Sequence, residues 1–70
     1  MLHLYSLTTS FKNGVEWKLK IAAVTAKAVT NYVGETFDTD ENPVTEVQIT
    51  LLCRDYEQEE NPFFRARIVE

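Results

Sequence analysis

This chain has almost none of the residues with which small proteins staple themselves together. Its 70 residues include one cysteine, Cys53, and one histidine, His3. A disulfide within the chain is therefore excluded. A structural zinc site wants four Cys or His ligands, and only these two are on offer. No metal and no cofactor is expected. Glycine is scarce too, with Gly14 and Gly34 alone, which excludes a glycine-rich phosphate loop. No run approaches the roughly 18 apolar residues of a membrane span, so no membrane partner is expected. Met1 to Tyr5 lacks the basic start and apolar stretch of a signal peptide. A lone thiol suits a reducing compartment, and a cytoplasmic location is expected.

Excess basic charge is also missing. The formal net charge is −4, and it is unevenly spread. Residues 1–35 set Lys12, Lys18, Lys20 and Lys27 against Glu16 and Glu35, a balance of +2. Residues 36–70 set Arg54, Arg65 and Arg67 against nine acids, a balance of −6. Phosphate backbones repel such a chain, so nucleic acid is disfavoured as a partner. A larger protein with a basic surface suits it better.

The length allows one domain, residues 1–70. A chain this short buries only about 60% of its unfolded surface. Its stability must come from a compact core, self-association or a partner.

What is present is mostly strand pattern. Leu2 to Phe11 alternates loosely and is rich in Leu, Tyr and Thr. Lys12-Asn13-Gly14 reads as a turn, because Asn-Gly tolerates the positive φ of tight hairpins. Val15, Trp17, Leu19 and Ile21 then alternate with Glu16, Lys18 and Lys20, the clearest period of two in the chain. Residues 2–22 therefore read as a β-hairpin, with Trp17 in the core.

Residues 25–33 are mixed. Several alanines favour helix, and β-branched residues resist it. Ala26, Val29, Val33 and Phe37 fall on one helical face. Thr25 reads as the cap and Gly34 as the stop. A short helix from about Thr25 to Val33 is predicted, with an all-β protein as the alternative.

A third strand follows, in which Val47, Ile49, Leu51 and Cys53 alternate with Glu46, Gln48, Thr50 and Arg54. This places Cys53 in the core as a small apolar residue. A fourth strand has Phe64, Ala66 and Ile68 between Arg65 and Arg67. About six residues join strands three and four, which reads as a hairpin. The fold class is α+β: a four-stranded antiparallel sheet with one short helix on one face, in the order ββαββ. Trp17, Leu19, Ile21, Val47, Ile49, Leu51, Phe64 and Ile68 are the expected sheet contribution to the core.

Two acidic segments punctuate this pattern. Asp38-Thr39-Asp40-Glu41-Asn42-Pro43 opens the third strand, and Glu57-Gln58-Glu59-Glu60-Asn61-Pro62 opens the fourth. The first begins like a calcium loop. Pro43 then stands where that loop needs Gly, and Ile49 where it needs a bidentate Glu. A third strand of about a dozen residues, roughly 35–40 Å long, would keep the two loops apart. Sharing one metal would then require a sharply bent strand or a second subunit. His3 has no orienting acid near it in sequence, and Ser6, Thr8, Thr9 and Ser10 have no base in view. No enzymatic activity is expected.

Phe11-Lys12-Asn13 stands in the first turn, with an aromatic at Trp17 and Ile21 in the second strand. With the ββαββ order, this stretch resembles that of small phage-encoded inhibitors of host defence proteins, the Dmd-like antitoxins. The resemblance implies stoichiometric binding and occlusion of a larger protein, in the host cytoplasm for a phage-encoded chain.

The leading expectation is a small acidic binding module that inhibits or regulates a larger protein. Its candidate contacts are Asp38, Asp40, Glu41, Glu57, Glu59 and Glu60, with Tyr56 and Phe63 as aromatic anchors. The bland competitor is a pair of solvated loops that keep the domain soluble. A second function is nucleic-acid binding through a sheet face carrying Lys18, Lys20, Arg54, Arg65 and Arg67. A third is a structural homo-oligomer, since an open edge strand admits a homodimer.

Overall fold

The structure, a computed structural model of the chain, describes residues 1–58 and 66–69. Strand β1 spans Leu2–Phe11 and β2 spans Glu16–Ala23. Helix α1 spans Ala26–Thr36, β3 spans Val44–Glu57 and β4 spans Ala66–Val69. Phe64 and Arg65, assigned above to the fourth strand, lie outside the described residues. The four strands form one antiparallel sheet in the order β3-β1-β2-β4. The fold is α+β, and the all-β alternative fails at residues 26–36.

The β1–β2 hairpin forms where Asn-Gly predicts it. Gly14 N–H donates to Phe11 O at 3.0 Å, and Phe11 N–H donates to Val15 O at 2.9 Å. Gly14 takes φ +89°, which a residue with a Cβ rarely adopts. Asn13 Oδ1 accepts from Val15 N–H at 3.0 Å and closes the turn from the side.

The predicted hairpin between strands three and four does not form. Strands β3 and β4 stand at opposite edges of the sheet, and β4 pairs with β2 instead. The short connection favoured a hairpin, but β4 takes the side of β2 that β1 leaves open, from Lys20 to Ala23, while β1 pairs with β3 along its whole length. That pairing makes β1 a central strand, and Tyr5 and Leu7 become core residues. Opposite residues in an antiparallel pair project to the same face. Tyr5, Leu7, Thr9 and Phe11 therefore share the helix-covered face with Leu51, Ile49, Val47 and Val44 of β3. From β2 the same face takes Ile21, Leu19 and Trp17.

The expected core was partly wrong at its margins. Ile21 is fully buried, and Leu19, Val47 and Ile49 are partly buried. Trp17, however, is 47% exposed, and Leu51 and Ile68 are each 40% exposed. Leu51 and Ile68 belong to edge strands, where a neighbour covers only one side. Among the described residues β4 pairs with β2 only from Lys20 to Ala23, so none of them pairs with β2 beside Trp17 on that side.

Cys53 leaves the core for a different reason. The register slips between Leu4 and Tyr5, so that Tyr5 faces Leu51 while Leu4 faces Cys53. A bulge of this kind inserts one residue and reverses the alternation beyond it. Cys53 is accordingly exposed. A second irregularity follows, with Asp55 at φ +52°.

Helix α1 starts at the predicted cap. Thr25 Oγ1 accepts from Ala28 N–H at 3.1 Å. Val29 and Val33 are its buried residues, and Ala26 of the predicted face is exposed. The helix does not stop at Gly34 but runs to Thr36, with Phe37 as its C-cap. Phe37 packs edge to face on Tyr32 and Trp17, at ring-centre distances of 6.0 and 5.5 Å, which draws the last turn onto the sheet. Gly34 thus occupies a helix interior, and a Cβ there would meet nothing within 4 Å. Gly34→Ala is expected to stabilise the domain by about 1 kcal/mol. A thermal melt should rise by about 4–8 °C. A lower melting temperature would show that the helix end needs glycine's freedom.

Candidate functional site

The first acidic segment is a tightly held loop. It leaves the helix at Phe37, whose N–H donates to Val33 O at 2.9 Å. Asp38 Oδ1 accepts from Val44 N–H at 3.1 Å, and Thr39 Oγ1 accepts from Asn42 N–H at 3.1 Å. Pro43 O accepts from Lys12 N–H at 3.0 Å, and Asn42 Oδ1 accepts from Asn13 N–H at 3.2 Å. The loop is therefore stitched to itself and to the β1–β2 turn. Asp38, Asp40 and Glu41 are all exposed. Asp38 is engaged at Val44, and no ion pair among the described residues engages Asp40 or Glu41.

Beside this loop lies a groove of about 320 Å³. Phe11, Val15, Trp17 and Phe37 form its apolar walls, and Asn13, Thr36 and Asn42 its polar ones. Trp17 meets Phe11 and Phe37 edge to face, at ring-centre distances of 6.0 and 5.5 Å. These rings brace the indole while leaving nearly half of it open. Alternation alone assigned Trp17 to the core and hid this groove. The available signal was the chain's folding back at Asn13-Gly14, which sets Phe11 and Val15 side by side with Trp17 just beyond.

The second acidic segment is elsewhere. Val44 pairs with Phe11 and Glu57 with Leu2, so β3 separates the described parts of the two segments by its length. Glu57 is ion-paired with Arg67, an interaction that joins the two edge strands. Tyr56 is 41% exposed. Glu59, Glu60 and Phe63 lie outside the described residues. The structure thus gathers Asp38, Asp40 and Glu41 and keeps Glu57 and Tyr56 away from them.

The cationic face is partly as expected. The register places Lys18, Lys20 and Arg67 on the face opposite the helix, with Ser6, Thr8 and Thr50. Lys18 lies 3.8 Å from Glu16, and Arg67 is paired with Glu57. Arg54 is exposed within the irregular part of β3, and Arg65 lies outside the described residues. A groove of about 490 Å³ runs between Lys18, Lys20 and Val69 at the end of β4. Strand β3 leaves one long edge unpaired among the described residues, with Leu51, Leu52 and Tyr56 exposed along it.

His3 does have an acid near it, brought from far along the chain. Its Nδ1 accepts from Asp55 N–H at 3.0 Å and lies 4.0 Å from Asp55 Oδ1. That hydrogen bond anchors the irregular end of β3. Among the described residues no group of three or more His, Cys, Asp or Glu is placed to hold a metal. No helix among them is long and apolar enough to cross a membrane. Comparison of the chain with protein-family models, curated proteins and solved structures finds no match in any of the three.

Proposed function

We propose that this chain is a small acidic binding module that inhibits or regulates a larger protein by stoichiometric binding, in the style of phage inhibitors of host defence. One observation carries the reading. The first acidic loop is held by four hydrogen bonds, namely Asp38 to Val44, Thr39 to Asn42, Pro43 to Lys12 and Asn42 to Asn13. A loop that serves only solubility needs no fixed shape. A loop that meets a partner gains from one, because less freedom is lost on binding. Its free carboxylates would steer a basic surface and fix its register.

Nucleic-acid binding is supported less well. Lys18 and Arg67 of the open face lie beside carboxylates that partly neutralise them.

The test is charge reversal where the fold does not need the charge. Asp40→Lys with Glu41→Lys leaves the Asp38 hydrogen bond intact. A partner recovered with the native protein should bind one copy each, with affinity falling as salt rises. The double reversal should weaken it by about tenfold or more at low salt, a change of about 1.4 kcal/mol. Equal binding by the reversed protein at low salt would discard the reading.

A further inference from the structure

We infer that the groove between Trp17 and Phe37 receives an arginine side chain of the partner. The inference rests on the binding-module reading above and adds the chemistry of its anchor. The argument starts from where the chain enters and leaves the groove. Phe37 and Asn42 both line it. The four residues between them are Asp38, Thr39, Asp40 and Glu41. Consecutive Cα atoms are about 3.8 Å apart, so Glu41 lies within about 4 Å of Asn42 along the backbone and Asp40 within about 8 Å. The exposed carboxylates of Asp40 and Glu41 thus belong to the loop that borders the groove between Phe37 and Asn42.

The wall and that loop ask for the same thing. Trp17, 47% exposed and steadied by Phe11 and Phe37, puts an indole in the wall. Tryptophan is the best of the aromatic partners for a cation. A purely apolar occupant would satisfy the rings and leave the carboxylates unanswered. A compact ammonium would satisfy the carboxylates but holds its water tightly. A guanidinium is planar, weakly hydrated and forked, so it stacks on the indole while donating to carboxylate oxygens. The basic residue within the lining segment is Lys12, between Phe11 and Asn13. One ammonium stands there against three carboxylates, so the groove's surroundings remain acidic.

Trp17 is the only tryptophan, so its emission reports on the groove directly. The native protein is titrated in low salt with a capped Gly-Arg-Gly peptide and with its citrulline counterpart, which has the same shape and no charge. The arginine peptide is expected to give a saturable change in emission with a Kd of the order of millimolar. The citrulline peptide should give none over the same range. A lysine peptide should bind more weakly than arginine. Asp40→Asn with Glu41→Gln should weaken the arginine peptide by about tenfold, which corresponds to about 1.4 kcal/mol. Phe37→Leu should weaken it as well, because it removes a bracing ring while keeping an apolar side chain.

Equal responses to arginine and citrulline would overturn the inference, and so would no saturable response to arginine. An emission change that follows protein concentration without peptide would also overturn it, by placing a second copy in the groove. None of these results touches the binding-module reading, which stands or falls on the recovered partner and the charge reversal.

Discussion

Leu7→Ala is expected to destabilise the domain by about 3 kcal/mol, within the roughly 2–5 kcal/mol seen for buried leucines. Leu7 is fully buried at the centre of the sheet. It lies opposite Leu19 on one side and Ile49 on the other, under the helix residues Val29 and Val33. Removing its side chain takes away apolar contact and leaves a cavity that two flanking strands prevent from closing. A domain of this size has a total stability of the order of 5 kcal/mol. The variant should lose more than half of it. Urea denaturation should show a much lower midpoint with an unchanged slope. Leu51→Ala is the informative control. Periodicity ranks Leu51 with the core, yet it is 40% exposed on an edge strand. Its loss should cost about 1 kcal/mol or less, since little apolar area is removed from contact. Equal losses from Leu7→Ala and Leu51→Ala would contradict the strand order.

Thr9→Val is expected to act in the opposite direction and raise stability by about 1–2 kcal/mol. Thr9 is completely buried on the helix-covered face, between Trp17 and Val47. Its Oγ1 has no hydrogen-bond partner among the described residues. A hydroxyl taken from water without a partner is a standing cost. Valine keeps the branched shape and the strand preference while replacing the hydroxyl with a methyl group. The melting temperature should rise by roughly 4–16 °C, taking about 4–8 °C per kcal/mol. Thr9→Ser completes the comparison, because it retains the hydroxyl and loses the methyl. It should destabilise. If valine lowers the melting temperature, the hydroxyl has a partner, and Thr9 belongs to a polar contact.

Local pattern carried a good deal of this fold. The Asn13-Gly14 turn requires positive φ at Gly14, and the hairpin follows from it. Thr25 caps the helix through its own hydroxyl, a signal complete within four residues. Such features depend on neighbours in sequence, and so they can be read there. The helix end is where this reasoning first failed. Gly34 is a good stop signal locally, but the packing of Phe37 against Trp17 outweighs it. That contact joins residues far apart in the chain. Cys53 failed for a related reason. One inserted residue in β3 exchanges the two faces, and nothing in the run from Val47 to Arg54 announces it.

The candidate site divides in the same way. The carboxylates of Asp38, Asp40 and Glu41 were visible as a cluster because they are adjacent in sequence. The groove beside them was not. It needs Phe11 and Trp17 from the hairpin, Phe37 from the helix end and Asn42 from the loop. Those residues meet because the rings of Phe11, Trp17 and Phe37 pack together and because Asn13, Asn42, Lys12 and Pro43 tie the loop to the turn.

The amino-acid sequence by itself determined the charge, the first hairpin and the helix cap, and it favoured the α+β class that the helix at Ala26–Thr36 then decided. It also ruled out a disulfide within the chain, because Cys53 has no counterpart. Only the tertiary structure decided that β1 is central, that β3 and β4 occupy opposite edges, and that Trp17 stands open beside an acidic loop. The physical reason is range. Turns, caps and alternation are set by backbone geometry over a few residues. Strand order and burial are set by which distant surfaces exclude water together, and a free energy of that kind belongs to the whole chain.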